Sequence, residues 1–259
     1  MLPPAVGAAV HYPYKEEPHP LVRKLESITD LTSDEREALR ALPMMVRTVG
    51  ADQDILQDGD RPSACCVLLD GFLCRYKLAG EDKRQILAFH IPGEIPDLQS
   101  LHLKTLDHSM AAVTASKVGF IRHEVMHRLM ADQPRLAGVF WRETLIDGAI
   151  FREWMVGLGR RRAPGRMARF FCEMYVRWDS IGMAEHQTVP LPITQEELGD
   201  TLGLSAVHTN RALQDLRGEH LVRFERGKLT VLDWKGLVHA GEFDPTYLHL
   251  HPKASERAR

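Results

Sequence analysis

Asn210, Arg211 and Gln214 stand within about one helical turn of one another and follow the small residues Ala206 and Val207. On a helix those five side chains project from one side, while Thr209, Ala212, Leu213 and Leu216 form an apolar stripe on the other at three- and four-residue spacing. The chemistry offered by the outer row is hydrogen bonding without bond-making. A guanidinium suits guanine N7 and O6, an amide suits adenine, and Ala or Val can meet a thymine methyl. Ser205 and His208 add groups able to bond phosphate oxygens.

The remaining chemistry-bearing residues are scattered. The chain has four cysteines, Cys65, Cys66, Cys74 and Cys172, and thirteen histidines. Four cysteines in 259 residues do not make a disulfide framework. Cys65 and Cys66, if on a strand, point to opposite faces and cannot readily share a metal, so the expectation is small buried hydrophobes. The closest histidine pair, His249 and His251, has no Cys or carboxylate cluster at ligand spacing beside it. No metal site and no cofactor are predicted.

The elements that would position the outer row are legible around it. Thr194 with Glu197 forms a capping box, Gly203 stops the helix it opens, and Ser205 caps the next helix at once. Two helices joined by so short a Gly-containing turn make a helix-turn-helix, with Thr194 near the same surface. Two β-rich runs around Arg226-Gly227-Lys228 then read as a wing.

Upstream, residues 1–20 hold Pro3, Pro4, Pro13, Pro18 and Pro20 and read as an irregular lead-in. Thr32 with Glu35 is another capping box, opening a short helix to about Leu42. From Arg47 to Ile121, short apolar runs alternate with turn signals such as Asp58-Gly59-Asp60, Asp70-Gly71 and Pro92-Gly93-Glu94, the texture of an antiparallel barrel or sandwich. Helical texture returns at His123 to Met130 and runs from Pro134 to about Arg161 with no internal proline. That second helix is roughly 40 Å long. Its apolar residues, among them Val139, Leu145, Ile150, Phe151, Met155 and Leu158, wrap more than one face, so a second copy of the helix is expected to pack on it. Arg160-Arg161-Arg162 before Ala163-Pro164-Gly165 marks a break, a helix is expected to follow through Met167, Phe170, Phe171, Met174 and Tyr175, and a polar loop then reaches Leu191.

On the segments 193–199 and 205–211, on Arg211, and on the turns at 58–60, 69–71 and 92–94, the chain resembles the cyclic-AMP receptor protein and fumarate-nitrate regulator superfamily over residues 21–235. The resemblance implies an α+β chain. Its parts would be an N-terminal antiparallel β-roll of the cyclic-nucleotide-binding, cupin-like jelly-roll type, a long dimerisation helix and a C-terminal winged helix-turn-helix. The boundaries it suggests are 21–132 for the roll, 133–162 for the helix and hinge, 163–239 for the DNA-binding domain and 240–259 for a tail.

The same resemblance implies an effector pocket at Gly93 and Glu94. In the family an arginine-serine pair follows and neutralises a cyclic phosphate. Counting back from the strand at Val113 to Ile121 puts Leu106 and Asp107 at that place, whereas a two-residue insertion puts His108 and Ser109 there. Neither supplies an arginine, so cyclic AMP is not the expected effector. Val207 and Ala206 stand where many members carry glutamate and the cyclic-AMP receptor carries arginine, so a different operator is expected.

The formal net charge of −2 argues against a protein coated in positive charge. No basic-apolar signal pattern and no run of 18 apolar residues occurs, which points to the cytoplasm with no membrane contact. The expected partners are double-stranded DNA with a near-palindromic operator, a second copy of the chain and RNA polymerase. Two other classes compete with this reading: a β-roll that binds a cyclic nucleotide or another small effector, and a cupin-like metal enzyme, for which His90 lacks a second histidine one residue away.

Overall fold

The computed structural model describes residues 12–14, 18–80 and 83–252. The chain divides into two compact units, one of residues 1–77 with 88–145 and one of residues 78–87 with 146–259.

Helix α1 (Pro20–Glu26) opens the first unit, and the sequence reading missed it. Pro20 closes the expected irregular lead-in, but it occupies the first helical turn, where its missing N–H costs nothing and its fixed φ favours the helix. Helix α2 (Ser33–Arg40) starts at the expected capping box: the Thr32 hydroxyl accepts from Glu35 N at 3.2 Å, and Thr32 N donates to Glu35 Oε2 at 2.8 Å.

Eight strands follow the antiparallel texture: β1 (Tyr12–Pro13), β2 (Pro43–Val49), β3 (Asp54–Leu56), β4 (Ala64–Asp70), β5 (Leu73–Ala79), β6 (Lys83–His90), β7 (Ser109–Ala112) and β8 (Ser116–Arg122). They form two four-stranded sheets in the orders β1-β2-β8-β4 and β3-β7-β5-β6. Tyr12 and Pro13 pair with Met44 and Pro43, so the expected irregular lead-in holds a strand; the rest of 1–11 and 15–17 lies outside the described residues. Leu56, Leu68, Leu73, Leu106, Met110, Val118 and Phe120 fill the roll core.

Helix α3 (His123–Asp132) leads to α4 (Pro134–Arg160), whose 27 residues run through both units. Helix α5 (Ala163–Ser180) begins only two residues later. Pro164 lies in its first turn, so the expected break is shorter than the Ala-Pro-Gly signal implied, for the reason that applies to Pro20.

The second unit continues with β9 (Thr188–Pro190), α6 (Gln195–Leu202), α7 (Ala206–Gly218), β10 (Val222–Glu225), β11 (Lys228–Val231) and α8 (Trp234–Gly241). Strand β9 lies inside the stretch expected to be loop. It is three residues long and pairs with β11, whose Leu229 lies opposite Val189, so no alternation in its own sequence marks it. Phe171, on α5, packs against Phe224 of the wing with ring centroids 5.5 Å apart.

Candidate nucleic-acid interface

The α6–α7 pair is held by contacts that only small or capped residues allow. Thr194 Oγ1 accepts from Glu197 N at 3.1 Å and donates to Glu197 Oε2 at 3.0 Å, so this hydroxyl is committed within the cap. Gly203 ends α6 at φ 60°, a conformation that glycine adopts without a Cβ penalty. A Cβ at Gly199 would lie 2.9 Å from Leu204 O and 3.2 Å from Thr209 Oγ1. Glycine at 199 therefore sets how closely the two helices approach.

Ser205 caps α7: its Oγ accepts from His208 N at 3.4 Å and lies 2.8 Å from His208 Nδ1. Thr209, Ala212, Leu213 and Leu216 are buried, as the stripe predicted. Ser205, Ala206, Val207, His208, Asn210, Arg211 and Gln214 are all exposed. The exposed row thus presents small groups at the helix start and long polar ones a turn later, on a helix whose opposite side is fully packed.

The wing follows directly. Strands β10 and β11 pair antiparallel with Phe224 opposite Leu229, and Arg226 and Gly227 both take positive φ, 51° and 70°, as a tight hairpin turn requires. Arg217, in the last turn of α7, donates to Phe224 O and ties helix to wing. Arg223, Arg226 and Lys228 are exposed, and although Glu225 pairs with Arg223 at 3.6 Å, the wing keeps a small cationic surplus in a near-neutral chain.

The corner at Gly93-Glu94 is closed by the chain's own groups. Gly93 takes φ +95°, its N–H donates to Leu68 O at 2.7 Å, and a Cβ there would fall 2.2 Å from Pro20 O. Glu94 N donates to Ile91 O, and Leu68 N donates to Glu94 O. The Glu94 carboxylate, 7% exposed, lies 2.9 Å from His90 Nδ1 and 4.0 Å from Lys24 Nζ, and Lys24 is in turn 2.9 Å from Glu143 of α4. Nearby Asp97 accepts from Cys66 N at 2.7 Å, and burial pushes its carboxyl up to about 7.

At the place of the family's arginine-serine pair, Leu106 belongs to the roll core and the Asp107 side chain is 86% exposed. Asp107 therefore faces outward and not into the roll, a correction to its placement in an effector pocket. The inward residue is His108, whose Nδ1 lies 2.8 Å from Asp107 Oδ1 and whose Nε2 lies 3.4 Å from Gln99 Nε2. The hydrogen bond with His108 holds the Asp107 carboxyl below its ordinary range. Ser109 opens β7 and its Oγ accepts from Asp58 N at 3.0 Å.

Along α4, Trp141, Leu145, Phe151, Met155 and Leu158 are exposed at 69, 57, 47, 58 and 41%. At 100° per residue, Trp141, Leu145 and Met155 share one side with Gly148 and Arg152 between them, and Phe151 and Leu158 flank it. Val139 is buried and Ile150 falls half a turn away from that row. Val139, expected at a helix-helix seam, instead turns inward, because apolar spacing alone does not say which face a helix buries. Trp141 was missed. All four cysteines are buried, and burial raises the Cys65 and Cys66 thiols well above their ordinary range.

Residues 46–133 match the cyclic nucleotide-binding domain family and residues 165–240 match the Crp-like helix-turn-helix domain family. The transcriptional activator FnrA of Stutzerimonas stutzeri is 23% identical over 207 residues, 80% of this chain and 84% of that protein. The nitrogen fixation regulation protein FixK of Bradyrhizobium diazoefficiens is 26% identical over 183 residues, 70% of this chain and 75% of that one. This chain belongs to the Crp/Fnr superfamily of transcription regulators. The fold of this Crp/Fnr regulator is shared with FixK2 of Bradyrhizobium japonicum at a TM-score of 0.69 and 23% identity, over 76% of this chain and 96% of that one. It is also shared with the c-di-GMP responsive regulator CLP of Xanthomonas campestris, at 0.62 and 16%, over 78% and 100%.

Within this Crp/Fnr chain, Arg211 is the group on α7 best suited to bidentate base contact. Arg211→Ala is expected to weaken specific operator binding by about 1–3 kcal/mol and relax preference for one guanine per half-site, with non-specific binding little changed. Competition titrations at fixed salt read this. Equal weakening on operator and random DNA would make Arg211 a phosphate contact instead.

Proposed function

We propose that this regulator is a homodimer that reads a near-palindromic operator with α7, without cyclic AMP as its effector. The observation that carries the reading is the exposed row Ala206, Val207, Asn210, Arg211 and Gln214 on a helix fixed from behind by Gly199 and the buried Thr209 stripe. Val207, 67% exposed where many members carry glutamate, offers a thymine methyl a contact in place of an acceptor for cytosine. Arg223, Arg226 and Lys228 on the wing then meet phosphates and hold register. The work of the protein is binding and recruitment in the cytoplasm, RNA polymerase being the partner that a bound regulator addresses.

Dimerisation rests on the exposed side of α4. Trp141, Leu145 and Met155 repeat at alternating four- and three-residue steps once Gly148 and Arg152 are counted, the seam of a two-helix coil, and the glycines let the helices approach. Two α7 helices held this way enter successive major grooves on one face of the duplex, about 34 Å apart.

The closed Gly93-Glu94 corner supports independence from cyclic AMP. Its backbone N–H groups already donate to carbonyls, its carboxylate already faces Lys24 and His90, and a histidine stands where a permanent guanidinium would neutralise phosphate. A second reading, in which the roll takes another small effector, draws support from the match to the cyclic nucleotide-binding domain family alone.

Met155→Asp or Leu145→Asp is expected to give monomers by light scattering at micromolar concentration and to lower operator affinity at least a hundredfold. A wild type that is monomeric under those conditions would remove the dimer reading. Calorimetry with cyclic AMP and cyclic GMP, beside gel shifts with and without them, is expected to show no micromolar binding and no change in operator affinity. Micromolar binding coupled to tighter operator affinity would overturn the effector reading and leave DNA recognition untouched.

A further inference from the structure

The chain continues past the Crp-like helix-turn-helix match, which ends at residue 240, and the continuation returns to the start of the DNA-binding unit. Gly241 ends α8 so close to α5 that a Cβ there would lie 2.6 Å from Arg169 N. Asp244 then accepts from Thr246 N at 2.8 Å and caps a short 3-10 turn, Pro245–Leu248. Phe243 and Leu248 are buried.

This segment lands where α4 meets α5. Only Arg161 and Arg162 separate those helices, so the angle between them must be set by contacts across the joint. Two such contacts are polar. Trp154 Nε1 of α4 donates to the Glu173 carboxylate of α5 at 3.0 and 3.2 Å, and Arg169 of α5 pairs with Glu153 of α4 at 2.7 Å.

The continuation takes hold of both α5 partners. Tyr247 OH donates to Glu173 Oε2 at 2.8 Å. The Arg169 guanidinium lies 5.1 Å from the Tyr247 ring centroid and 5.5 Å from that of Phe243, and it donates to Glu242 O. Glu173 is 1% exposed and is also approached by Arg177 at 3.4 Å. A buried carboxylate needs its full set of donors, so loss of the Tyr247 hydroxyl loosens the group that grips Trp154.

We propose that Glu242–Leu248 is a splint across the α4–α5 joint, with Tyr247 as its positioning residue, and that it sets which half-site spacing the dimer accepts. The proposal rests on the reading of the chain as a DNA-binding dimer. Nothing in it requires Tyr247 to touch DNA: the residue acts through Glu173 and Trp154 on the angle at which α5, and with it α6 and α7, leaves the long helix.

The test compares wild type, Tyr247→Phe, and a chain ending after Glu242. Binding is titrated on the preferred palindrome, on the same half-sites with the spacer changed by one and by two base pairs, and on a single half-site. Tyr247→Phe, which removes one oxygen, is expected to remain dimeric and to keep single-half-site affinity within twofold. Its preference for the native spacer over the altered ones is expected to fall about five- to tenfold, and further in the shortened chain. Unchanged spacer preference in both variants would sink the splint, as would an equal loss on the single half-site and on every spacer, which marks a merely stabilising tail. A wild type without DNA binding or without dimers would instead bring down the reading beneath it.

Discussion

Helix α4 has apolar side chains on two opposite sides, and the placement of everything else follows from satisfying both. One side is satisfied within the chain: Leu136, Val139, Phe140, Ile146 and Ala149 are all buried. The other leaves Trp141, Leu145 and Met155 exposed, a row that no element among the described residues covers. Burying a large apolar side chain is worth about 1.5–3 kcal/mol, so six of them, three from each copy, bring roughly 10 kcal/mol to a seam before the cost of association is subtracted. In the proposed dimer this seam would hold two recognition helices together and make their separation a property of α4.

A recognition helix is only as selective as its placement is rigid. In α7 that rigidity comes from backbone and cap geometry more than from bulk: the Thr194–Glu197 box, the left-handed Gly203 and the Gly199 contact fix the turn, while Thr209 Oγ1 donates to Ser205 O at 3.0 Å beneath the exposed row. With a net charge of −2, a chain that reads DNA as proposed would rely on that row and a small cationic wing edge, not on a long-range field. The roll contributes a different kind of rigidity. Lys24 lies between Glu94 of the roll corner and Glu143 of α4, so α1 joins the corner to the long helix through buried charge.

The recognition segment was legible because its signals are local. Capping boxes, a glycine stop and a 3.6-residue stripe each act within a few residues, and the stripe at Thr209, Ala212, Leu213 and Leu216 is buried as its spacing requires. What escaped depends on partners distant in sequence. Strand β9 depends on its pairing with β11, and the burial of Val139 depends on which face of α4 turns inward. Asp107 was misplaced because counting from one strand carried its side chain inward, whereas the packing of Leu106 in the core turns the next residue out. Pro20 reads as lead-in and Pro164 as a break, although both sit in first helical turns. The tail gave no signal of its own, since Tyr247 acquires meaning only beside Glu173.

The central claim is that two copies of α7, held by α4, read DNA as a pair. Selection of binding sites from random double-stranded DNA by the full-length protein at physiological salt tests it most directly. The account predicts an enriched near-palindrome whose half-sites lie about one helical turn apart, 10–10.5 base pairs centre to centre, each with a conserved guanine. Enrichment of a single asymmetric site, or of no sequence at all, would contradict it.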